Sequence, residues 1–104
     1  MTTTTEARQL KAISRKAEEA AGLMRALSHE ERLRVLCELS SGERSVGDLV
    51  RSSGLSQSAL SQHLARLRED GLVETRREAQ TIYYTVTDPK VLQVVRLLYQ
   101  LYCG

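Results

Sequence analysis

Aromatic residues are scarce in this chain, which has four Tyr, no Phe and no Trp among its 104 residues. A hydrophobic core therefore has to be built mainly from Leu, Val and Ala. With 41% hydrophobic and 27% charged residues, the composition is that of a folded protein and excludes a disordered chain. The length suits one domain, and so small a domain often gains stability by forming oligomers.

Cysteine is also rare. Cys37 and Cys103 are the only two in the sequence, too few for the disulfide framework of a secreted protein. No apolar run approaches the roughly 20 residues needed to span a bilayer, and residues 1–5 lack the basic and apolar parts of a signal peptide. We therefore expect a cytoplasmic protein with no membrane partner. The net charge of +2 permits nucleic-acid binding without requiring it.

Hydrophobic spacing predicts helices in the first part of the chain. Residues 1–5 are expected to form a disordered tail, and apolar residues at every third or fourth position predict one amphipathic helix over 6–27. Ser28, with Glu31 three residues later, predicts a capping box that begins the next helix. Cys37 is expected on the inward face of that helix.

The centre of the chain has the pattern of a helix-turn-helix. Ser45 and Ser56 are placed to cap two successive helices, and the turn between them contains Gly54. The second helix is predicted over 57–70. In such a motif the second helix lies in the major groove of DNA and presents its N-terminal residues to base edges.

A hairpin and a last helix are predicted to follow. Alternating apolar and polar residues predict strands over 72–77 and 81–87, joined by a turn at 78–80. Asp88 followed by proline is typical of a helix start, which predicts a helix over 89–102. The fold class is therefore mostly α with a small β-hairpin, a winged helix-turn-helix with the order α-α-α-α-β-β-α in one domain over 6–104.

The last helix is apolar nearly all round, so one of its faces would meet water in a monomer. The first helix lies outside the central unit and also lacks a partner. We therefore expect a homodimer built from helices 6–27 and 89–102.

Polar and basic residues of the second helix and the hairpin are the candidates for contact with double-stranded DNA. They are Gln57, Ser58, Ser61, Gln62, His63, Arg66, Arg76 and Arg77. The competing interpretation is an ordinary solvated surface, and for His63 a half-buried structural histidine. No nucleophile with a histidine base, Gly-rich phosphate loop or carboxylate pair indicates an enzyme, and nothing indicates a cofactor.

The sequence resembles a known family at this point. Residues 56–64 (SQSALSQHL), 71–73 (GLV) and 32–36 (RLRVL) are similar to motifs of ArsR/SmtB winged-helix repressors, and the resemblance covers residues 20–103. It implies a dimeric repressor that leaves its operator DNA when an inducer binds.

Metal-sensing members of that family carry ligands that this chain lacks. The arsenic and cadmium type has a Cys-x-Cys pair where residues 45–49 are SVGDL. The zinc type uses the last helix, and here Asp88 remains but residues 89–104 contain no His, Asp or Glu. The few candidate zinc ligands are not expected to converge, so no metal site is predicted. A metal-responsive repressor nevertheless stays open as an alternative.

The two cysteines resemble those of the persulfide-responsive branch of the family, in residues 35–37 (VLC) and 101–103 (LYC). This resemblance implies that Cys37 and Cys103 become joined by a disulfide or a longer polysulfide such as a tetrasulfide. It also implies that persulfide or polysulfide is the inducer and that the bridged form releases DNA. Because Cys103 lies near a helix C-terminus, which disfavours a thiolate, we expect Cys37 to attack first. A DNA-binding dimer with inert cysteines is the remaining alternative.

Overall fold

The computed structural model describes residues 4–104, which form six helices and one small sheet. The predicted fold class is confirmed. In chain order the elements are α1 (Thr4–Arg15), α2 (Ala17–Leu27), α3 (Glu30–Leu39), β1 (Arg44–Ser45), α4 (Val46–Ser53), α5 (Gln57–Glu69), β2 (Val73–Glu78), β3 (Thr81–Val86) and α6 (Pro89–Tyr102).

The predicted single helix over 6–27 is wrong in one respect, because it is broken at Lys16. The N–H of Lys16 donates to the Ile13 carbonyl at 3.0 Å, which tightens and ends α1, and the Lys16 carbonyl then accepts from Ala20 in α2. Apolar spacing continues across the break, so periodicity alone does not reveal it. Thr4 and Thr5, expected in a disordered tail, already belong to α1, and the rest of that predicted tail lies outside the described residues.

The start of α3 also differs from the prediction. His29, not Ser28, is the N-cap, and its Nδ1 accepts the Glu31 N–H at 3.2 Å. The Ser28 hydroxyl instead donates to the Arg25 carbonyl at 2.8 Å, so it serves the end of α2. Arg32 donates to that carbonyl too, at 3.2 Å, and this fixes α2 against α3.

The sheet is antiparallel with the order β1-β3-β2. The hairpin β2–β3 runs in register from Val73 opposite Val86 to Glu78 opposite Thr81, and each strand lies within one residue of its predicted bounds. The strand β1 is new: it has two residues and pairs Arg44 with Tyr84. So short a strand has no detectable alternation in sequence.

The core is built from aliphatic side chains, as the lack of aromatics predicts. Six of its members are completely shielded from solvent, at 0% exposure: Leu36, Leu49, Leu60, Leu64, Leu67 and Val91. They join α3, α4, α5 and α6, and Tyr84 of the sheet packs against them. Leu60, Leu64 and Leu67 thus form a buried stripe along α5.

The chain is elongated, because α1 projects from this core without burying a residue. Its radius of gyration is 16.1 Å, where a compact chain of about 100 residues has about 13 Å. Large apolar side chains remain exposed on α1, α2 and α6: Leu10, Ile13, Met24, Leu97, Tyr99, Leu101 and Tyr102. None of the helices within residues 4–104 is long and apolar enough to cross a membrane.

Candidate DNA interface and thiol pair

Two capped helices and a glycine turn place α5 on the surface. Ser45 and Asp48 form a full capping box at the start of α4, and their hydrogen bonds hold the pKa of Asp48 below its ordinary value. Gly54 ends α4 with a φ of 73°, a conformation that glycine adopts without strain. The Ser56 hydroxyl accepts the Ala59 N–H at 3.1 Å and caps α5.

The leucine stripe of α5 determines which of its residues face solvent. Because Leu60, Leu64 and Leu67 are buried, the opposite face carries Gln57, Ser58, Ser61 and Gln62, and all four are exposed. These side chains offer amide and hydroxyl donors and acceptors at the N-terminal end of one helix. Such groups can hydrogen-bond to base edges and to phosphate oxygens.

An open groove of about 610 Å³ runs between the start of α5 and the hairpin. Its lining includes Gln57 and Ser61 of α5, Val46 and Val50 of α4, and Gln80, Thr81 and Ile82 of the hairpin. Gln80 and Thr81 are not among the DNA-contact candidates predicted from sequence, although their place at a polar hairpin tip is a usable signal. The groove shows that the hairpin and the exposed end of α5 belong to one surface.

The two hairpin arginines point to different sides. Arg77 is exposed and stands opposite Ile82, on the strand face that lines the groove. Arg76 stands opposite Tyr83, on the other face, and its guanidinium is bound by the carboxylates of Glu43 and Glu78. Both arginines were predicted to be candidates for DNA contact, and the alternation of the strand places them on opposite faces.

His63 and Arg66 are less available than the four polar residues before them. The His63 ring is half-buried with its centroid 4.7 Å from that of His29. Arg66 pairs with Asp70 at 3.5 Å, although both side chains stay in contact with solvent. The contact of His63 with the N-cap of α3 supports the structural alternative for that residue.

The two cysteines are free and exposed. For Cys37 this corrects the predicted inward position: Val35, Leu36 and Leu39 fill the buried face of α3, and Cys37 falls outside that face. Cys103 is the C-cap of α6, where its N–H donates to the Tyr99 carbonyl at 2.8 Å.

The surroundings of Cys37 include Cys103 and Glu38. Partial burial raises the pKa of the Cys37 thiol, and the negative charges of Cys103 and Glu38 raise it further. This shift lowers the thiolate fraction of Cys37 at neutral pH, which disfavours Cys37 as the first nucleophile, contrary to the expectation from sequence. Across residues 4–104, no group of three or more His, Cys, Asp and Glu side chains is arranged to hold a metal ion.

Residues 29–75, which hold the capped α3, the helix-turn-helix and the start of the hairpin, match the family model of the bacterial regulatory proteins of the arsR family. The transcriptional activator HlyU of Vibrio cholerae is 49% identical over 94 residues, which are 90% of this chain and 87% of that protein. This chain belongs to the arsR family.

Solved structures of relatives share the fold of this arsR-family regulator. Reduced HlyU from Vibrio cholerae is 48% identical with a TM-score of 0.84, over 90% of this chain and 99% of that one. The transcriptional repressor BigR from Xylella fastidiosa is 44% identical with a TM-score of 0.88, over 90% of this chain and 96% of that one. The winged-helix regulator predicted from residues 56–64 is therefore confirmed, and the chain is a transcriptional regulator.

The surroundings of His63 predict that the stability of this regulator falls in acid. Burial lowers the pKa of His63, and the positive charges of His29 and Arg32 lower it further, against the opposing effect of Glu31. A lowered pKa in the folded state means that folding disfavours the protonated ring. The contribution of the neutral His63 ring to folding stability is therefore fully present above the unfolded pKa of about 6.5. It is lost as the pH falls through the lower pKa of the folded state.

We predict that the urea midpoint of the wild type falls between pH 7.5 and pH 5, and that H63Q loses much of this dependence. H29N is the matched variant, because asparagine retains a cap acceptor but carries no charge. It should raise the pKa of His63, measured by NMR titration of the ring, and flatten the same profile. Equal pH profiles for the wild type and H63Q would contradict the role of this contact.

Proposed function

We propose that this regulator is a homodimeric, sequence-specific repressor that binds double-stranded operator DNA and releases it when Cys37 and Cys103 become bridged. The observation that carries the proposal is the pair of exposed thiols, one on α3 beside the helix-turn-helix and one at the end of α6. Persulfide or polysulfide is the proposed inducer. The structure of one relative, HlyU from Vibrio cholerae, is of its reduced form, and this supports a function that depends on the thiol state.

The face that combines α5 with the hairpin supports DNA binding. It presents four exposed polar side chains at the start of α5, a groove beside them and the exposed Arg77 at the hairpin. Base-edge contacts from α5 would supply sequence preference, and contacts from arginine to phosphate would supply affinity that falls with salt.

We predict that Q57A and S58A each relax sequence preference, at a cost of about 1–3 kcal/mol for a lost base contact. The measurement is fluorescence anisotropy with a duplex selected by the wild type from a randomised library, and with variants of that duplex. E69Q, at the exposed far end of the same helix, is the control and should keep the wild-type preference. Unchanged affinity and preference in both Q57A and S58A would show that α5 does not contact bases.

The exposed apolar side chains of α1 and α6 support the homodimer. Leu101 is 66% exposed and Tyr102 82% exposed in the single chain. Ile13, Leu23 and Val94 line an open groove of about 870 Å³ between α1, α2 and α6. A second copy of the chain that covers these surfaces would remove the apolar area from water.

We predict that L101D produces a monomer or an unfolded chain, because an unpaired charge in an apolar interface costs several kcal/mol. Light scattering at micromolar concentration gives the mass, and circular dichroism distinguishes the two outcomes. R68D adds a negative charge on the exposed surface of α5, outside α1, α2 and α6, and should remain dimeric. A wild-type monomer at this concentration would contradict the dimer.

The bridge can form by thiol exchange with balanced atoms. A thiolate of the pair attacks the outer sulfur of a persulfide RSSH, which leaves a protein persulfide and releases RSH. The second thiolate attacks the protein-bound sulfur of that persulfide, forms the S–S bond and releases HS⁻. Each earlier transfer of one more sulfur atom from RSSH lengthens the bridge by that atom. A longer bridge relaxes the demand of a direct disulfide for Cα atoms about 4.4–6.8 Å apart.

We predict that glutathione persulfide weakens DNA binding by the wild type about five- to 150-fold, the range of a typical coupling between two sites. C37S and C103S should bind DNA normally when reduced, and persulfide should not make either variant release it. Mass spectrometry should find both cysteines of the treated wild type in one crosslinked pair, with two hydrogens lost and either no sulfur added, for a disulfide, or whole sulfur atoms added, for a longer bridge.

Two results would contradict this switch. Full release of C103S by persulfide would show that a bridge is unnecessary, and the absence of any effect on the wild type would indicate inert cysteines. Release by zinc with both thiols still reduced would indicate a metal-responsive regulator instead. Dithiothreitol added after persulfide is the control, and it should restore DNA binding of the wild type.

A further inference from the structure

The guanidinium of Arg76 is held by three neighbours on the outer face of the hairpin. Its Nε and Nη2 donate to the two carboxylate oxygens of Glu43, at 3.2 Å and 2.8 Å. Its Nη1 donates to Glu78 at 2.7 Å, and the group lies 4.6 Å from the centre of the Tyr83 ring. A bidentate pair of this kind fixes the orientation of both side chains.

These contacts make Arg76 a poor phosphate ligand. One positive charge lies between two carboxylates, so the cluster is net negative and would repel a DNA backbone. The cluster also faces away from the groove, since Arg76 is opposite Tyr83 whereas Arg77 is opposite the groove-lining Ile82. The pKa of Glu43 is lowered by its hydrogen bonds with Arg76, in agreement with a formed pair.

The position of Glu43 lets the pair connect the hairpin to the chain that enters α4. Glu43 directly precedes β1, and α4 begins immediately after the two residues of that strand. The strand β1 is joined to the hairpin by only two residue pairs, Arg44 with Tyr84 and Ser45 with Tyr83. The ion pair therefore extends a very short attachment between the hairpin and the start of the helix-turn-helix.

We propose that Arg76 is a positioning residue that, through Glu43, ties the hairpin to the chain entering α4 and so holds Arg77 toward the DNA. This inference rests on the proposed DNA-binding function. Arg76 and Glu43 have side chains that are 50% and 33% exposed, and exposed ion pairs contribute little to global stability. Variants of either residue are therefore expected to fold, which makes the local role measurable.

The decisive variant is E43Q, because the two roles of Arg76 predict opposite signs. If Arg76 positions the hairpin, E43Q loosens it and weakens binding to a fluorescein-labelled duplex selected by the wild type, by up to about fivefold per protomer. If Arg76 binds phosphate, E43Q removes a competing carboxylate and strengthens binding. Unchanged or tighter binding by E43Q would overturn the proposal.

The salt dependence of the same binding provides the second readout. R77Q should lower the slope of log affinity against log salt by about one per protomer, as expected for a lost phosphate contact. R76Q should weaken binding but keep the salt dependence of the wild type. The double variant R76Q/E43Q should bind no more weakly than either single variant. A slope that falls in R76Q as it does in R77Q would overturn the positioning role.

Hydrogen exchange separates this proposal from the proposed function. In the free protein, R76Q and E43Q should each accelerate exchange of the β3 amides by a similar factor, while R77Q leaves them unchanged. If the wild type bound no DNA, the proposed function would fail, and this exchange would still test whether the Glu43–Arg76 pair attaches the hairpin to the chain before α4. Equal exchange in the wild type, R76Q and E43Q would overturn it.

Discussion

The burial of three leucines along α5 is the constraint on which the rest of the structure depends. Leu60, Leu64 and Leu67 occupy the same side of the helix and reach 0% exposure against α3, α4 and the sheet. Their burial fixes the rotation of α5 about its own axis. Because the leucines have to leave water, the side of α5 that they occupy faces the core, and Gln57 and Ser61 remain exposed to solvent. The polar surface beside the hairpin therefore follows from the apolar core beneath it.

The small core also leaves apolar surface of α1 and α6 uncovered. A chain with so few aromatics closes its core with leucine and valine around the helix-turn-helix, and only Val91 of α6 is fully buried. The far end of α6 and all of α1 keep their apolar residues in contact with water. A second copy of the chain is the proposed cover, and Cys103 lies at the end of α6 that this copy would contact.

Sequence predicted the features that depend on neighbours in the chain. The caps at Ser45, Ser56 and Asp88 are formed as expected, because each needs only a backbone N–H two or three residues away. One local feature was wrong, since His29 and not Ser28 caps α3. The other features that the sequence did not reveal depend on distant or subtle geometry. The break at Lys16 preserves the apolar spacing, and the pair of Glu43 with Arg76 joins residues that only the sheet brings together. Cys37 lies just beyond the buried face of α3, a difference that a helical period does not resolve.

The surroundings of the thiols bear on the order of the proposed bridging. Partial burial raises the pKa of Cys37, and negative charge at Cys103 and Glu38 raises it further. A raised pKa leaves less Cys37 thiolate at neutral pH, and the thiolate is the form that attacks a sulfur atom. Cys103 is exposed at the C-terminal end of α6, where an incoming persulfide can reach it. Within the proposed switch we therefore expect Cys103 to take up the first sulfur atom and Cys37 to close the bridge.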